Sequence, residues 1–466
     1  MRLGLIAALA ALSFSAHAAS AQSIPETAAV LRDRAMAGSP AYAIVESLTT
    51  EIGPRPTGSP AQKRAMEWGL AKLKALGFQN VHAEPFTVGA WARGAEAADV
   101  VSPYPQKLWI LGLGGSVPTP SGGIEAPIAL FHTYAALLAA PPGSLAGKIA
   151  VVVQPMVETE EGDGYGAGVP MRALGPSEAA RRGAVAYLFR SLSTANSRLP
   201  HTGFLRYLAD APRIPAAALS VSDAVLLDHM AARGAPVRVR LALDSRALPN
   251  AAAWNVVGEV AGREKPDEVI VIGGHLDSWD PGTGATDDGA GLSITVAAAK
   301  LIGDLPVHPK RTIRVVLFGA EEMGGFGGGD SGTAYADAHK AEAAKIVLAG
   351  ESDEGGGAPW GVMLPAGGAA KPAMAGLAGV LAPIKVLIAR EPSTFSGSDV
   401  AGLQKLGVPM LAFRVDASRY FDFHHSADDT LDKIDRDGLD RNVAAWAVVL
   451  YAAAEGDVDF RAGVKP

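Results

Sequence analysis

Glu268-Val269-Ile270-Val271-Ile272 runs directly into residues 273–291, GGHLDSWDPGTGATDDGAG, and this junction decides how the chain is read. Its first half is rich in β-branched side chains, which suit a pleated, buried surface, and so predicts a strand. His275 then emerges at the C-terminal end of that strand, where open α/β sheets keep their ligands. Beyond it glycines alternate with Asp277, Asp280, Asp287 and Asp288, and from Gly291 to Ala299 the composition turns helical. Burying so many carboxylates in a glycine-rich turn without counter-charge is costly, so they either sit in water or hold metal.

The same pattern recurs downstream. A strand over 312–318 is followed by Glu321-Glu322, one over 346–348 by Asp353, and one over 409–413 by His424-His425, with helices over 332–344 and 439–454 between or after them. Strands alternating with helices predict an α/β fold built on a doubly wound, largely parallel sheet with helices on both faces. Upstream, helices over 26–36 and 41–49 end at Gly53-Pro54-Arg55-Pro56; a third begins with Ser59 as cap and Pro60 at its first position, and 81–88 alternates like a strand. From Ser102 to Arg246 short β-like runs are separated by turns rich in Gly and Pro, which reads as a β-rich module inserted into the first domain. The expected organisation is therefore a leader at 1–21, a first part of the catalytic domain at 22–101, the insertion at 102–246, and the metal-binding part at 247–466.

The chain of 466 residues is long enough for two or three domains. A hydrophobic content of 48% with 19% charged residues is that of an ordinary globular protein. A formal charge of −7 with no basic stripe argues against a nucleic-acid partner. The opening MRLGLIAALAALSFSAHAASAQ has a positive start at Arg2, an apolar run from Leu3 to Phe14 and small residues suited to cleavage after Ala18 or Ala21, the pattern of a secretory signal. The apolar run is short for a membrane anchor, so the mature protein is expected outside the cytoplasm, periplasmic or extracellular, without an anchor. Cysteine is absent, which removes thiolate ligands and thiol nucleophiles and leaves His, Asp and Glu for any metal work. A binuclear site needs about the inventory found after the strands: two imidazoles, a bridging carboxylate and one more carboxylate per ion, with a further carboxylate to take a proton from water.

The ordered motifs GGHLDSWD, GATDDGAG, FGAEEMGG, ESDEG and FHHSADDT, with IGPRPTGS and RLPHTG upstream, resemble the co-catalytic zinc peptidases of the aminopeptidase and glutamate carboxypeptidase superfamily. Within it they look most like the plasma-type carboxypeptidases, in which a second aspartate follows the bridging one, as Asp288 follows Asp287. The resemblance implies two Zn²⁺ per chain, with cobalt or manganese also permitted by the ligand types. It implies that His275 binds one metal and His425 the other, that Asp287 bridges them, and that Glu322 and Asp353 each complete one. Glu321 is similar to the family's general base, and Asp277 to the carboxylate that orients the first imidazole. The implied chemistry is attack of metal-bridged hydroxide on a peptide carbonyl, on dipeptides or short peptides. His424 is the fallback for His425. Asp288 is expected to face a substrate's α-ammonium. Ser398 and Asp399 are expected near the site, without a fixed role. The insertion resembles a protease-associated domain bordering the cleft, which would bring His201 towards substrate, although a loop histidine also reads as simply solvated. A homodimer is implied by the resemblance alone.

Each motif by itself has a plain reading, as a turn, a solvated helix start or a surface pair. Their joint order favours the enzyme over a non-catalytic binding ectodomain on the same scaffold, because every ligand position and the base are present. A binuclear phosphoesterase would leave Glu321 unexplained, and an N-terminal aminopeptidase acting on longer peptides stands as the alternative specificity.

Overall fold

The computed structural model describes residues 23–323, 329–365 and 374–462, so the leader expected at 1–21 lies outside the described residues. The chain opens with helices α1 (Ile24–Met36), α2 (Ala41–Glu51) and α3 (Pro60–Ala75). Ser59 Oγ accepts from the Gln62 amide at 3.1 Å, so the start signal read there acts as an N-terminal cap, and at α1 Glu26 reaches back to the Ser23 amide at 2.8 Å.

Next come β1 (Gln79–Ser102), β2 (Gln106–Leu108), β3 (Ile110–Gly112), β4 (Ile124–Phe131), α4 (Tyr134–Ala139), β5 (Ile149–Val152), α5 (Gly164–Arg181), β6 (Ala186–Arg190), β7 (Ala216–Leu219), α6 (Val221–Ala231) and β8 (Arg238–Val260). Strands β4, β5, β6 and β7 are parallel neighbours with β3 antiparallel at the edge, and the two faces carry separate apolar cores, one around Leu188 and Leu227, the other around Phe189 and Met171.

The long antiparallel pair β1–β8 joins this region to the rest of the protein, with Gln79 opposite Glu259 at one end and Ser102 opposite Arg238 at the other. The expected limit of the insertion at 246 therefore falls inside a continuous strand. Leu248-Pro249-Asn250 has the composition of a linker, but Asn250 takes a left-handed φ of 58° and the pairing slips by a residue there, so the strand bulges and continues.

The remainder contains β9 (Lys265–His275), α7 (Ala290–Gly303), β10 (Arg311–Phe318), α8 (Ser331–Ala338), β11 (Ile346–Glu351), β12 (Pro359–Met363), β13 (Leu387–Ile388), β14 (Met410–Val415) and a long terminal helix, Arg436–Glu455. Strands β10, β9, β11 and β14 are parallel in that order, whereas β8 and β12 flank them antiparallel. The large sheet is thus mixed, with a parallel centre where the sequence alternates strand and helix. Along β9 the side chains alternate between faces: Ile270 and Ile272 enter the core shared with α7 and the terminal helix, while Val269 and Val271 enter the one shared with Tyr335 of α8. Both faces being covered accounts for the unbroken apolar run from which the strand was read.

Candidate metal centre

The site assembles at the C-terminal ends of β9, β10 and β11 and in the loop after β14. His275 is the last residue of β9 and is buried. The loop that follows is held from beneath by Arg55, whose side chain is wholly buried and donates to the carbonyls of Leu276 at 2.5 Å, Thr283 at 2.6 Å and Gly284 at 2.9 Å. Arg93 fixes the outer part of the same loop with a two-pronged pair to Asp280, at 2.7 and 3.1 Å. Asp429 holds its far end by accepting from the amides of Ala285, Thr286 and Asp287, at 2.9, 2.6 and 3.3 Å. The geometry of Asp287 is therefore imposed by partners remote in sequence.

Asp287 lies between the two histidines. Its Oδ1 is 3.1 Å from His275 Nε2 and its Oδ2 is 3.1 Å from His425 Nε2. Asp353 Oδ1 lies 3.3 Å from His275 Nε2, and Glu322 Oε2 lies 3.1 Å from His425 Nε2. His424 stacks on His425 with ring centroids 3.5 Å apart and stands 3.6 Å from Asp287 Oδ2. Three overlapping groups of converging ligand atoms result: Asp287 with His424 and His425, His275 with Asp288 and Asp353, and His275 with Asp287 and Glu322. Asp287 Oδ2, Glu322 Oε1 and Asp353 Oδ1 are nevertheless buried without a hydrogen-bond partner. Ligand atoms that converge without pairing fit residues arranged around a shared cation, and an oxygen and imidazole donor set without sulfur suits zinc, cobalt or manganese.

Electrostatics agree with that fit. Burial raises the carboxyls of Glu322 to about 8 and of Glu321 to about 7, and His425 and His275 respectively only partly oppose this. Burial would also raise Asp287, but the neighbouring His424 and the adjacent imidazoles of His275 and His425 hold it well below the ordinary carboxylate range.

Glu321 is set apart from the ligand cluster by its contacts. Its Oε1 accepts a 2.5 Å hydrogen bond from Ser398 Oγ, and its amide donates to Asp277 Oδ1 at 3.0 Å. Asp277 is buried, accepts from Thr57 Oγ1 at 2.6 Å, and its Oδ1 lies 3.5 Å from His275 Nδ1. One carboxylate therefore touches both the first histidine and the backbone that carries Glu321 and Glu322.

Three expected substrate contacts are turned elsewhere. Asp288 is fully buried and accepts from the amides of His275 at 2.9 Å and Gly291 at 3.0 Å, so its oxygens brace the strand end and the start of α7 rather than face an α-ammonium. Gly274 and Gly291 make room for it, since a Cβ on either would come within 2.3 Å of its oxygens. Asp399 is buried and accepts from Ser331 Oγ at 2.6 Å, while its amide donates to Glu351. His201 is buried rather than solvated; its Nδ1 lies 2.6 Å from the His424 carbonyl oxygen, and burial pushes its pKa down to about 4. Ser398, the fourth, reaches the site through Glu321.

A cavity of about 330 Å³ opens over the cluster, lined by Asp287, Glu321, Glu322, Asp353 and His425 and also by Tyr165 and Arg172 of α5. Sequence reasoning missed Arg55, Asp429 and Arg172. For Arg55 a signal existed, a lone cation between two prolines in IGPRPTGS. Arg172, in an alanine- and glycine-rich helix, gave none.

Comparison with known proteins gives concordant results. Residues 255–450 match the model of peptidase family M28. Carboxypeptidase Q of Bos taurus is 37% identical over 414 residues, 89% of this chain and 85% of the relative, and that of Mus musculus is 37% identical over 410 residues, 88% and 84%. The crystal structure of a peptidase M28 precursor from Shewanella amazonensis SB2B superposes with a TM-score of 0.90 at 43% identity, covering 95% of this chain and 98% of that one. The fold is shared more distantly by a zinc aminopeptidase from Bacillus subtilis, with a TM-score of 0.63 at 18% identity over 90% and 95% of the two chains.

Proposed function

Because the chain belongs to peptidase family M28 and is a metallopeptidase, we propose that it is a secreted, two-zinc exopeptidase that hydrolyses dipeptides or short peptides. The observation that carries this reading is Asp287, whose two oxygens each face a different imidazole at 3.1 Å, with one further carboxylate beside each imidazole. In this reading His275 and Asp353 hold one ion, His425 and Glu322 the other, and Asp287 lies between them. Two bound zinc ions would supply Lewis acidity to the scissile carbonyl and to the attacking water.

The protein's own residues do the rest. Glu321, raised to about 7, is matched to accept a proton from water near neutrality and return it to the leaving amine. Ser398 fixes which Glu321 oxygen is free for that task, because its hydroxyl occupies Oε1. Asp277 orients His275 and holds the amide of Glu321. The cavity, about 330 Å³, suits a short peptide. The segment 102–246 is read as a protease-associated insertion that supplies part of the cavity wall, the leader as a secretion signal to the periplasm or medium, and the enzyme as a homodimer.

The test is a panel of dipeptides and tripeptides with free and blocked termini, run beside metal quantitation. Cleavage of short peptides with about two zinc ions per chain is expected from a bridged site. Steady removal of N-terminal residues from long, C-terminally blocked peptides would favour an aminopeptidase instead.

A further inference from the structure

A second cavity, of about 380 Å³, opens beside the metal cavity, and Asp353 and Glu354 line both. Its largest walls are apolar: Met363 of β12, Phe413 of β14, Trp446 of the terminal helix, and Phe395, which is 55% exposed. The Phe413 and Trp446 ring centres lie 4.6 Å apart, so packing fixes that side. The polar side is acidic. Glu351, Asp353 and Glu354 belong to it, and no lysine, arginine or histidine is among the residues that line the cavity. Arg414, next to Phe413 on β14, projects from the other face of the strand, its guanidinium carbon 5.2 Å from the centre of the Trp360 ring.

Two of these carboxylates lack a counter-charge. Among the described residues the Glu354 side chain makes no hydrogen bond and no ion pair, and the charged groups that act on it, Asp353 and Glu161, are both acids. Glu351 Oε1 is buried without a hydrogen-bond partner, while its Oε2 accepts from the amides of Asp399 and Val400. Carboxylates gathered without a cation give the pocket a negative potential that favours a positive guest. A lysine or arginine side chain fits both halves of such a pocket, because its methylene stem covers apolar surface while its charged head reaches acids and aromatic faces. The α5 wall of the metal cavity offers the reverse, since Arg172 repels a second cation. A dipeptide's free α-ammonium belongs to the residue before the scissile bond, so charge also directs that residue to the acidic side of the cluster.

We propose that this pocket takes the side chain of the residue that supplies the scissile carbonyl, and that Glu354 selects a basic one, so that the enzyme favours substrates with lysine or arginine at that position. This rests on the peptidase reading and deepens it by naming a substrate class: the same apolar walls without Glu354 favour a neutral side chain such as that of methionine.

The experiment compares lysyl-alanine, methionyl-alanine, Nε-acetyl-lysyl-alanine and alanyl-lysine as substrates of metal-loaded wild type and Glu354→Gln. A charge pair intermediate between exposed and buried predicts that wild type prefers lysyl-alanine to methionyl-alanine by about 5- to 30-fold in kcat/KM, and that Glu354→Gln brings the ratio close to one. Acetylation, which keeps the stem and removes the charge, is expected to abolish the preference in wild type. Equal turnover of lysyl- and methionyl-alanine by wild type overturns the proposal, as does a ratio that Glu354→Gln leaves intact. So does an acetylated substrate cleaved as well as the free one, or a preference for alanyl-lysine over lysyl-alanine. If Glu354→Gln does not fold or does not hold metal, Glu354→Asp serves: its carboxylate is drawn back by one methylene, the ratio is expected to fall severalfold, and an unchanged ratio overturns the assignment. Failure of metal-loaded wild type to cleave any peptide would refute the peptidase reading itself and the proposal with it, whereas cleavage without a basic preference refutes only the proposal.

Discussion

Ser398 Oγ donates a 2.5 Å hydrogen bond to Glu321 Oε1, across 77 residues of sequence. The serine is delivered by a loop that Glu351 anchors, accepting from the amides of Asp399 and Val400 at 2.8 and 3.2 Å. A carboxylate with one oxygen so engaged presents the other in a single direction, which a proton acceptor requires.

Glu321→Gln removes the acceptor but keeps shape and hydrogen bonding. Turnover is expected to fall by about 10²–10⁴-fold, with metal content unchanged. Ser398→Ala should lower kcat by roughly 10- to 100-fold at constant KM, and Ser398→Thr should restore much of it. Steady-state kinetics beside metal analysis check both, and wild-type kcat in Glu321→Gln would remove it from the reaction.

Arg55→Met leaves the buried carbonyls of Leu276, Thr283 and Gly284 without their donor. A loss of about 3 kcal/mol or more in metal-free stability is expected, read from denaturant midpoints at unchanged slope. A change below about 1 kcal/mol would mean that the loop does not depend on this clamp.

Asp429→Asn replaces one acceptor facing backbone amides with a donor. Since Asp429 fixes the amides of Thr286 and Asp287, metal affinity should drop by about 10- to 100-fold while the fold is retained. Competition with a chelator measures the affinity, and circular dichroism the fold. Unaltered affinity would show that Asp287 is positioned without it.

The pH dependence of metal-free stability has a definite sign. Glu322 and Glu321 rise from 4.5 to about 8 and about 7 on folding, so between these values the folded state binds more protons than the unfolded state and stability falls as pH rises. His275 and His425, raised above 6.5, act in the same direction, their stabilisation being lost as pH climbs through the folded values. The opposite contributions of His201 and His424, both lowered on folding, are complete once pH passes 6.5. Metal-free protein should therefore lose Tm from pH 6.5 to 8, and added zinc should flatten the slope by binding the ionised ligands. A metal-free Tm that rises over this range would contradict the buried-carboxylate account.

The sequence by itself determined what depends on neighbours along the chain. The β-branched run at 268–272, the cap at Ser59, and the recurrence of acids and histidines after successive strands specify an α/β sheet with a polar cluster at one end, because strand and helix periodicity and turn chemistry are local properties. Only the tertiary structure decided which way those side chains face. Asp288 and Asp399 carry the same carboxylate as Asp287, yet amides and a hydroxyl from other elements take up Asp288 and engage Asp399, while Asp287 is left between two imidazoles. Neither Arg55 nor Arg172 was given a role from the sequence, and folding buries one under the loop after β9 and the other in the cavity wall. A charge takes its role from the partners and the dielectric around it, and both are set by how the chain folds, at Arg55 by a loop more than two hundred residues away.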